Sequence, residues 1–124
     1  MVKDKLLESY AQIYDWTIKD DKVVPPYVKH PLPEFVYERI RWVVNEINNG
    51  LMYVGGMNEL IDIDDEKDLR EKWELGASSD YLPVTKEYRE WLEDPLYENP
   101  RKAAVIVAFL YWNDDKEALI NANA

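Results

Sequence analysis

The sequence contains no cysteine, a single histidine and only four glycines. Without cysteine the chain can form no disulfide and has no thiolate to act as a nucleophile or a metal ligand. The longest apolar run, residues 103–112, has about half the length that a membrane-spanning helix needs. The N-terminus also lacks the apolar core of a signal peptide. We therefore expect a soluble, cytoplasmic protein that does not contact membranes.

The apolar residues recur mostly at helical spacing, which predicts an all-α or nearly all-α protein. At 124 residues the chain is long enough for one hydrophobic core, and we expect residues 1–124 to form a single domain. The run AAVIVAFLYW at 103–112 is apolar on all sides, which is typical of a helix buried all round. The sequence thus predicts about five helices arranged around a buried C-terminal helix, which Asn99 and Pro100 introduce.

Local start and stop signals place the other helices. The first is predicted over residues 2–20, where Asp20-Asp21 ends the apolar pattern. The second runs from Pro33-Glu34 to Asn48 and stops at Asn48-Asn49-Gly50. A third covers residues 65–75, with Asp64 or Asp65 as its cap and Gly76 as its stop. A fourth follows Thr85 and ends at Glu93.

Three segments are less regular. Four of the seven prolines fall in residues 23–33, which predicts an extended, polyproline-like strap over the core. Residues 51–63 hold two apolar runs around Gly55-Gly56, which fit either a small β-hairpin or a short helix. Residues 115–120 are predicted to form a short helix or to continue the preceding one, before a frayed end at 121–124.

The net charge of −10 is concentrated in the middle of the chain. Residues 51–100 carry 14 Asp and Glu against 5 Lys and Arg, a net charge of −9. Such a surface repels nucleic acids, anionic lipids and phosphate-rich ligands, and it attracts basic proteins. A basic protein partner is therefore predicted, and nucleic acid is not. The alternative is that the acidity only keeps the protein in solution.

No residue pattern predicts a catalytic or metal site. The only histidine, His30, lies in the proline-rich segment, and none of the three serines lies in a nucleophile motif. The acids that begin at Asp62 resemble a calcium loop at first, but Lys67 replaces the required glycine and Trp73 the required glutamate. We therefore predict no catalytic residues, no cofactor and no metal.

Carboxylate pairs at i,i+3 could hold Mg²⁺ against the phosphates of a nucleotide. All-α nucleotide pyrophosphohydrolases of the MazG type use an ExxE helix followed by an ExxD helix. The only ExxD here, Glu59-x-x-Asp62, precedes the ExxE pairs. A Mg²⁺- or Mn²⁺-dependent nucleotide hydrolase with helix-borne carboxylates is thus an alternative function rather than the first one.

Acids and aromatic residues of the middle segment form the predicted partner-binding surface, since aromatic anchors ringed by charge suit the recognition of a basic groove. Its residues are Asp64, Asp65, Asp68, Glu71, Trp73, Glu74, Glu87, Glu90, Trp91, Glu93 and Asp94. The alternative is that the two tryptophans point inward. The leading prediction is a small, acidic, non-enzymatic binding protein of the inhibitor, immunity, anti-defence or nucleic-acid-mimic type. A structural component of a homo-oligomer or viral particle is a further alternative.

Overall fold

A computed structural model describes residues 2–20 and 22–112 of the chain. This part is mostly helical, which confirms the predicted fold class. Within it the elements are, in chain order, α1 (Val2–Ile13), β1 (Thr17–Lys19), β2 (Lys22–Val24), α2 (Pro26–Lys29), α3 (Glu34–Asn48), α4 (Tyr53–Ile61), α5 (Glu66–Gly76), α6 (Lys86–Leu92) and α7 (Glu98–Leu110). None of the helices in the described part is long and apolar enough to cross a membrane.

The chain divides into two compact units. The first unit combines residues 1–32 with residues 94–124, and its described part contains α1, the β1–β2 hairpin, α2 and α7. Both α1 and α2 pack on α7. The hydroxyl of Tyr27 donates to the main-chain oxygen of Tyr111 at 3.2 Å, and the ring of Trp16 meets that of Tyr111 edge-on at 4.9 Å. These contacts attach α2, through Tyr27, and the residue that precedes β1, Trp16, to the end of α7.

The second unit, Pro33–Glu93, contains α3 to α6. Helix α3 packs against α4 and α6, and α4 packs against α5. Its largest fully buried side chains include those of Trp73, Tyr37, Tyr88, Ile40, Leu60, Ile63, Leu92, Val36 and Val43. Because the core of this unit is built from all four helices, it fixes the outward faces of α4 and α5.

The three helices with clear caps were predicted to within a residue or two. Helix α3 begins at Glu34 and ends at Asn48, and Gly50 follows with a φ of 112°, a conformation that glycine adopts without strain. The side chain of Asp65 caps α5 by accepting from the amide of Asp68. Thr85 caps α6 in the same way through the amide of Tyr88.

The predicted first helix over residues 2–20 is too long. Helix α1 ends at Ile13, and residues 17–24 form a two-stranded antiparallel hairpin in which Lys19 pairs with Lys22. Asp20 turns the chain with a φ of 53°, a conformation that Asp tolerates better than most residues. The β-branched residues on either side of the turn then favour strands over a continued helix.

Both irregular segments contain helices. Within the predicted strap, Pro25 is extended, but Pro26 opens the short helix α2, because proline fits the first turn of a helix. Residues 51–63 form no hairpin, since α4 spans Tyr53–Ile61 and includes both Gly55 and Gly56. Of the two alternatives for this segment, a small β-hairpin and a short helix, the helix is therefore the correct one.

Helix α7 is not buried on all sides. It starts at Glu98 rather than at Pro100, and only Pro100, Val105, Ala108 and Phe109 of it are buried. Leu110 is 50% exposed. Ten consecutive apolar residues thus gave a helix with one buried face, because α1 and α2 contact it and cover part of its circumference. The predictions for residues 115–124 lie outside the described residues.

Candidate functional site

The outer face of α5, defined here by Asp68, Glu71 and Leu75, is the most distinctive surface of the second unit. Leu69 and Trp73 form the buried face of the same helix. Residues 68, 71 and 75 follow one another at spacings of three and four, so they share one face, and all three are exposed. Asp64 is also exposed but precedes the capping residue Asp65, so it lies beside the first turn rather than on this face.

The carboxylates at the start of α5 have a structural role, whereas the carboxylate of Glu71 has none among the described residues. Carboxylates are favourable in the first turn of a helix because they interact with its unpaired amides. Asp65 acts as the cap, and Glu66 accepts from the amide of Val84 at 2.8 Å. Glu71 lies in the middle of the helix and makes no ion pair in the described part of the chain. The preference of the first turn for carboxylates thus accounts for Asp68 on the outer face but not for Glu71.

Four apolar side chains form an exposed patch at one end of the α4–α5 pair. This apolar patch consists of Met52, Tyr53 and Val54 at the start of α4 and Leu75 at the end of α5. Their exposed fractions are 75%, 58%, 66% and 90%, respectively. Leu75 ends the outer face of α5, so the acidic face and the apolar patch are continuous.

Five of the nine predicted binding acids are neutralised by neighbouring cations. The pairs are Asp68–Lys72 at 2.9 Å, Glu74–Arg70 at 3.8 Å, Glu90–Lys86 at 3.7 Å, Glu93–Arg89 at 3.1 Å and Asp94–Arg101 at 4.0 Å. Asp94 also belongs to the first unit, unlike the others. The remaining four, Asp64, Asp65, Glu71 and Glu87, are not members of any ion pair among the described residues.

The two predicted aromatic anchors have different positions. Trp73 is 1% exposed, so it belongs to the core and no partner can reach it in the folded protein. Its ring lies 3.9 Å from that of Trp42, and its indole N–H donates to the main-chain oxygen of Ser79 at 2.8 Å. Trp91 is only partly buried and meets the ring of Phe35 edge-on at 6.3 Å. Helical spacing favours an inward position for both tryptophans, and this position is found fully for Trp73 and only partly for Trp91.

Buried charges, which the sequence pattern did not reveal, hold this unit together. Arg39 and Glu59 are each 2% exposed. The Nε of Arg39 donates to the main-chain oxygen of Glu59 at 2.7 Å, and its Nη1 donates to that of Leu82 at 2.8 Å. Burial raises the pKa of Glu59 to about 7, and the positive charge of Arg39 opposes this rise. The pair positions α4 relative to α3.

Glu46 orders the segment that follows α5. Its carboxylate accepts from the amides of Ser78 and Ser79 at 2.8 and 3.0 Å and from the Ser78 hydroxyl at 2.6 Å. These hydrogen bonds favour the charged form and lower the pKa of Glu46. In the sequence, Arg39 follows the core residue Val36 by three positions, and Glu46 follows the core residue Val43 by three. This helical spacing is the one feature of the sequence that places both charged side chains on the inward face of α3.

The first unit contains the arrangement closest to a catalytic one. The Nε2 of His30 lies 2.7 Å from the carboxylate of Asp15, at a cleft that Ser9 and Tyr27 also line. The hydrogen bond from His30 lowers the pKa of Asp15. However, the Ser9 hydroxyl donates to the main-chain oxygen of Lys5 at 3.0 Å. The cleft has about 50 Å³ of free interior, which is room for a few water molecules rather than an organic substrate.

The carboxylates do not converge into a metal centre in the part of the chain that the structure describes, where no three His, Asp or Glu side chains are placed to hold an ion. The ExxE pairs lie on α5 and α6, and Glu74, Glu90 and Glu93 in them are bound by Lys or Arg.

No protein-family model matches the sequence, and no curated protein or solved structure is significantly similar to it.

Proposed function

We propose that the protein is a small, non-enzymatic binding protein that docks on a basic protein through the outer face of α5. The observation that carries this proposal is the uneven distribution of charge. The unit of residues 33–93 contains 15 Asp and Glu against 7 Lys and Arg, a net charge of −8 out of the −10 of the whole chain. Inhibitor, immunity-type, anti-defence and nucleic-acid-mimic proteins are the roles that fit such a surface.

The cations of this unit leave a large part of its acids uncompensated. Six of its seven Lys and Arg form ion pairs with acids of the same unit. Seven exposed carboxylates of the unit form no ion pair among the described residues: Glu38, Asp62, Asp64, Asp65, Glu71, Asp80 and Glu87. Those at the start and on the outer face of α5, Asp64, Asp65 and Glu71, would meet a docked basic partner unneutralised and would steer its approach, whereas the others add only to the net charge of the unit.

Unfavourable placement within α5 supports the same conclusion. Asp68 and Glu71 repel each other at helical spacing, and such pairs cost a few tenths of a kcal/mol. The ion pair of Asp68 with Lys72 offsets part of that repulsion, whereas Glu71 forms no ion pair among the described residues, although the sequence spacing favours one with Lys67. A binding role would explain why a second carboxylate, Glu71, follows on this face, although Asp68 itself lies in the favourable first turn of the helix.

The test is affinity capture from a cell extract with the native chain and with the triple variant Asp64→Lys, Asp68→Lys, Glu71→Lys. We expect the native chain to retain a basic protein that mass spectrometry identifies and that high salt releases, because exposed charges are screened. The triple variant should lose this protein. Thermal melting shows whether the variant remains folded.

A matched control changes the net charge equally at other positions. Glu8→Lys, Glu38→Lys and Asp80→Lys replace three exposed carboxylates that form no ion pair among the described residues. This control should retain most of the partner if the face of α5 is the docking surface. Equal losses in the two variants would show that only overall charge matters, and retention by both would overturn the proposal.

A further inference from the structure

The apolar patch lies where the start of α4 and the end of α5 both approach the side chain of Leu51. A Cβ atom added to Gly55 would lie 3.5 Å from Cδ1 of Leu51, and one added to Gly76 would lie 3.6 Å from the same atom. The start of α4 and the end of α5 therefore both meet the side chain of Leu51. Val54 and Leu75, the sequence neighbours of these glycines, therefore belong to backbone segments that lie close together.

Buried residues on α4 and α5 fix the orientation of the two helices that carry the patch. Leu60 of α4 and Trp73 of α5 are almost fully buried, so neither helix can turn its outer face inward without losing its core contacts. Leu75 is nevertheless 90% exposed, and Met52 is 75% exposed. Clustered apolar side chains of this size, bordered by polar residues, are typical of interaction sites.

We propose that the apolar patch is the hydrophobic centre of the docking surface and that its occupant is a basic amphipathic helix of the partner protein. This inference rests on the proposed function and names the partner's chemistry. Apolar residues of such a helix would cover Leu75, Val54 and Met52. Its Lys and Arg residues would face Glu71, which lies four residues before Leu75, is exposed and forms no ion pair among the described residues.

Charge complementarity selects this occupant. The patch belongs to the unit with a net charge of −8. The carboxylate of Glu71 lies one helical turn before Leu75 of the patch on the same helix. A second copy of the chain would bring a further charge of −10 and would be repelled. In the complex, the charges would set the rate of association and the apolar contacts most of the affinity.

Two labelled peptides of about 15 residues, the length at which isolated helices become marginally stable, test the inference by fluorescence anisotropy. The first carries leucine at helical spacing on one face and lysine on the other. The second has serine in place of each leucine. We expect the native chain to bind the first peptide at least about tenfold more tightly than the second.

Variants of the chain locate the contact. Leu75→Ser and Val54→Ser should each reduce the affinity for the leucine peptide by about tenfold. Because both side chains are mostly exposed, these changes leave the core intact. Leu7→Ser is the matched control, since Leu7 is 60% exposed on α1 in the other unit, and it should bind as the native chain does.

The outcomes separate this inference from the proposed function. If both peptides bind equally and Leu75→Ser has no effect, while reversal of Asp64, Asp68 and Glu71 weakens both, the patch is not the centre and the proposed function remains. If charge reversal affects neither peptide, the proposed function fails. Self-association of the native chain that Leu75→Ser abolishes in sedimentation would overturn the inference by making a second copy the occupant.

Discussion

The guanidinium of Arg39 and the carboxylate of Glu59 lie 3.4 Å apart in the interior of the second unit, where each side chain is only 3% exposed. Arg39 also donates to the main-chain oxygens of Glu59 and Leu82. One side chain on α3 therefore fixes both the end of α4 and the segment that precedes α6. The faces of Tyr81 and Tyr88, whose centroids lie 5.9 and 5.6 Å from the guanidinium carbon, add a further attraction for its charge.

The first prediction concerns the pH dependence of stability. Burial raises the pKa of Glu59 from 4.5 to about 7, so between these values the folded state binds more protons than the unfolded state. The free energy of unfolding should therefore fall as the pH rises from about 4.5 to about 7, by up to about 3 kcal/mol. Urea denaturation of the native chain and of Glu59→Gln measures this.

Glu59→Gln cannot ionise, so its stability should change less over the same pH range than that of the native chain. Identical pH profiles for the two proteins would mean that Glu59 titrates normally and that its interior position has no effect on its ionisation.

The second prediction is that Arg39→Met destabilises the protein severely. The variant leaves the carboxylate of Glu59 and the main-chain oxygen of Leu82 without their donor, and such losses cost about 3–5 kcal/mol. Thermal and urea melts give the change. Arg70→Met, which alters an exposed arginine paired to Glu74 at 3.8 Å, should cost less than about 1 kcal/mol. Comparable losses at both positions would contradict the role assigned to Arg39.

The third prediction is that Glu46→Ala releases residues 77–81. It removes three hydrogen bonds to a buried carboxylate, so we expect a loss of about 2–4 kcal/mol and faster amide exchange at Ser78 and Ser79. Since its pKa is lowered, Glu46 stabilises the fold above its ordinary pKa of 4.5, and this contribution is lost as the pH falls through the folded value. Glu38→Ala, an exposed change on the same helix, serves as the control and should leave exchange unchanged.

The fourth prediction separates capping from binding at Asp65. Asp65→Ala should cost about 1 kcal/mol, because the amide of Asp68 loses its acceptor. Asp65→Asn should keep the cap and the stability but lose the charge. If the proposed function is correct, Asp65→Asn weakens partner binding without lowering the melting temperature. An equal drop in stability for both variants would show that the charge, and not the cap, stabilises the helix.

The sequence predicted the helices whose ends carry a chemical signal. Asp65 and Thr85 are side-chain caps, and Gly50 adopts a φ that other residues avoid, so α3, α5 and α6 could be placed from local residues alone. The β1–β2 hairpin was missed because its turn depends on Asp20 in a left-handed conformation, and the apolar spacing of α1 continued through it.

The polar core could not be predicted from hydrophobic patterns. Arg39 and Glu46 count as surface residues in any such pattern, and only the acceptors that α4 and residues 77–81 bring to them make their burial tolerable. The apolar patch was missed for the opposite reason. Leu75 and Val54 count as core residues by type, and only the direction of the buried faces of α4 and α5 shows that they point outward.

Residues 78–80 are held largely through main-chain atoms. The amides of Ser78 and Ser79 bind Glu46, and the main-chain oxygens of Ser79 and Asp80 accept from the indoles of Trp73 and Trp42. The path of this segment is thus set by Trp42 and Glu46 of α3 and by Trp73 of α5, and of its own side chains the Ser78 hydroxyl also takes part, by donating to Glu46. A different short sequence that keeps Ser78 could be grafted there and would keep the same course as long as both tryptophans and the glutamate remain.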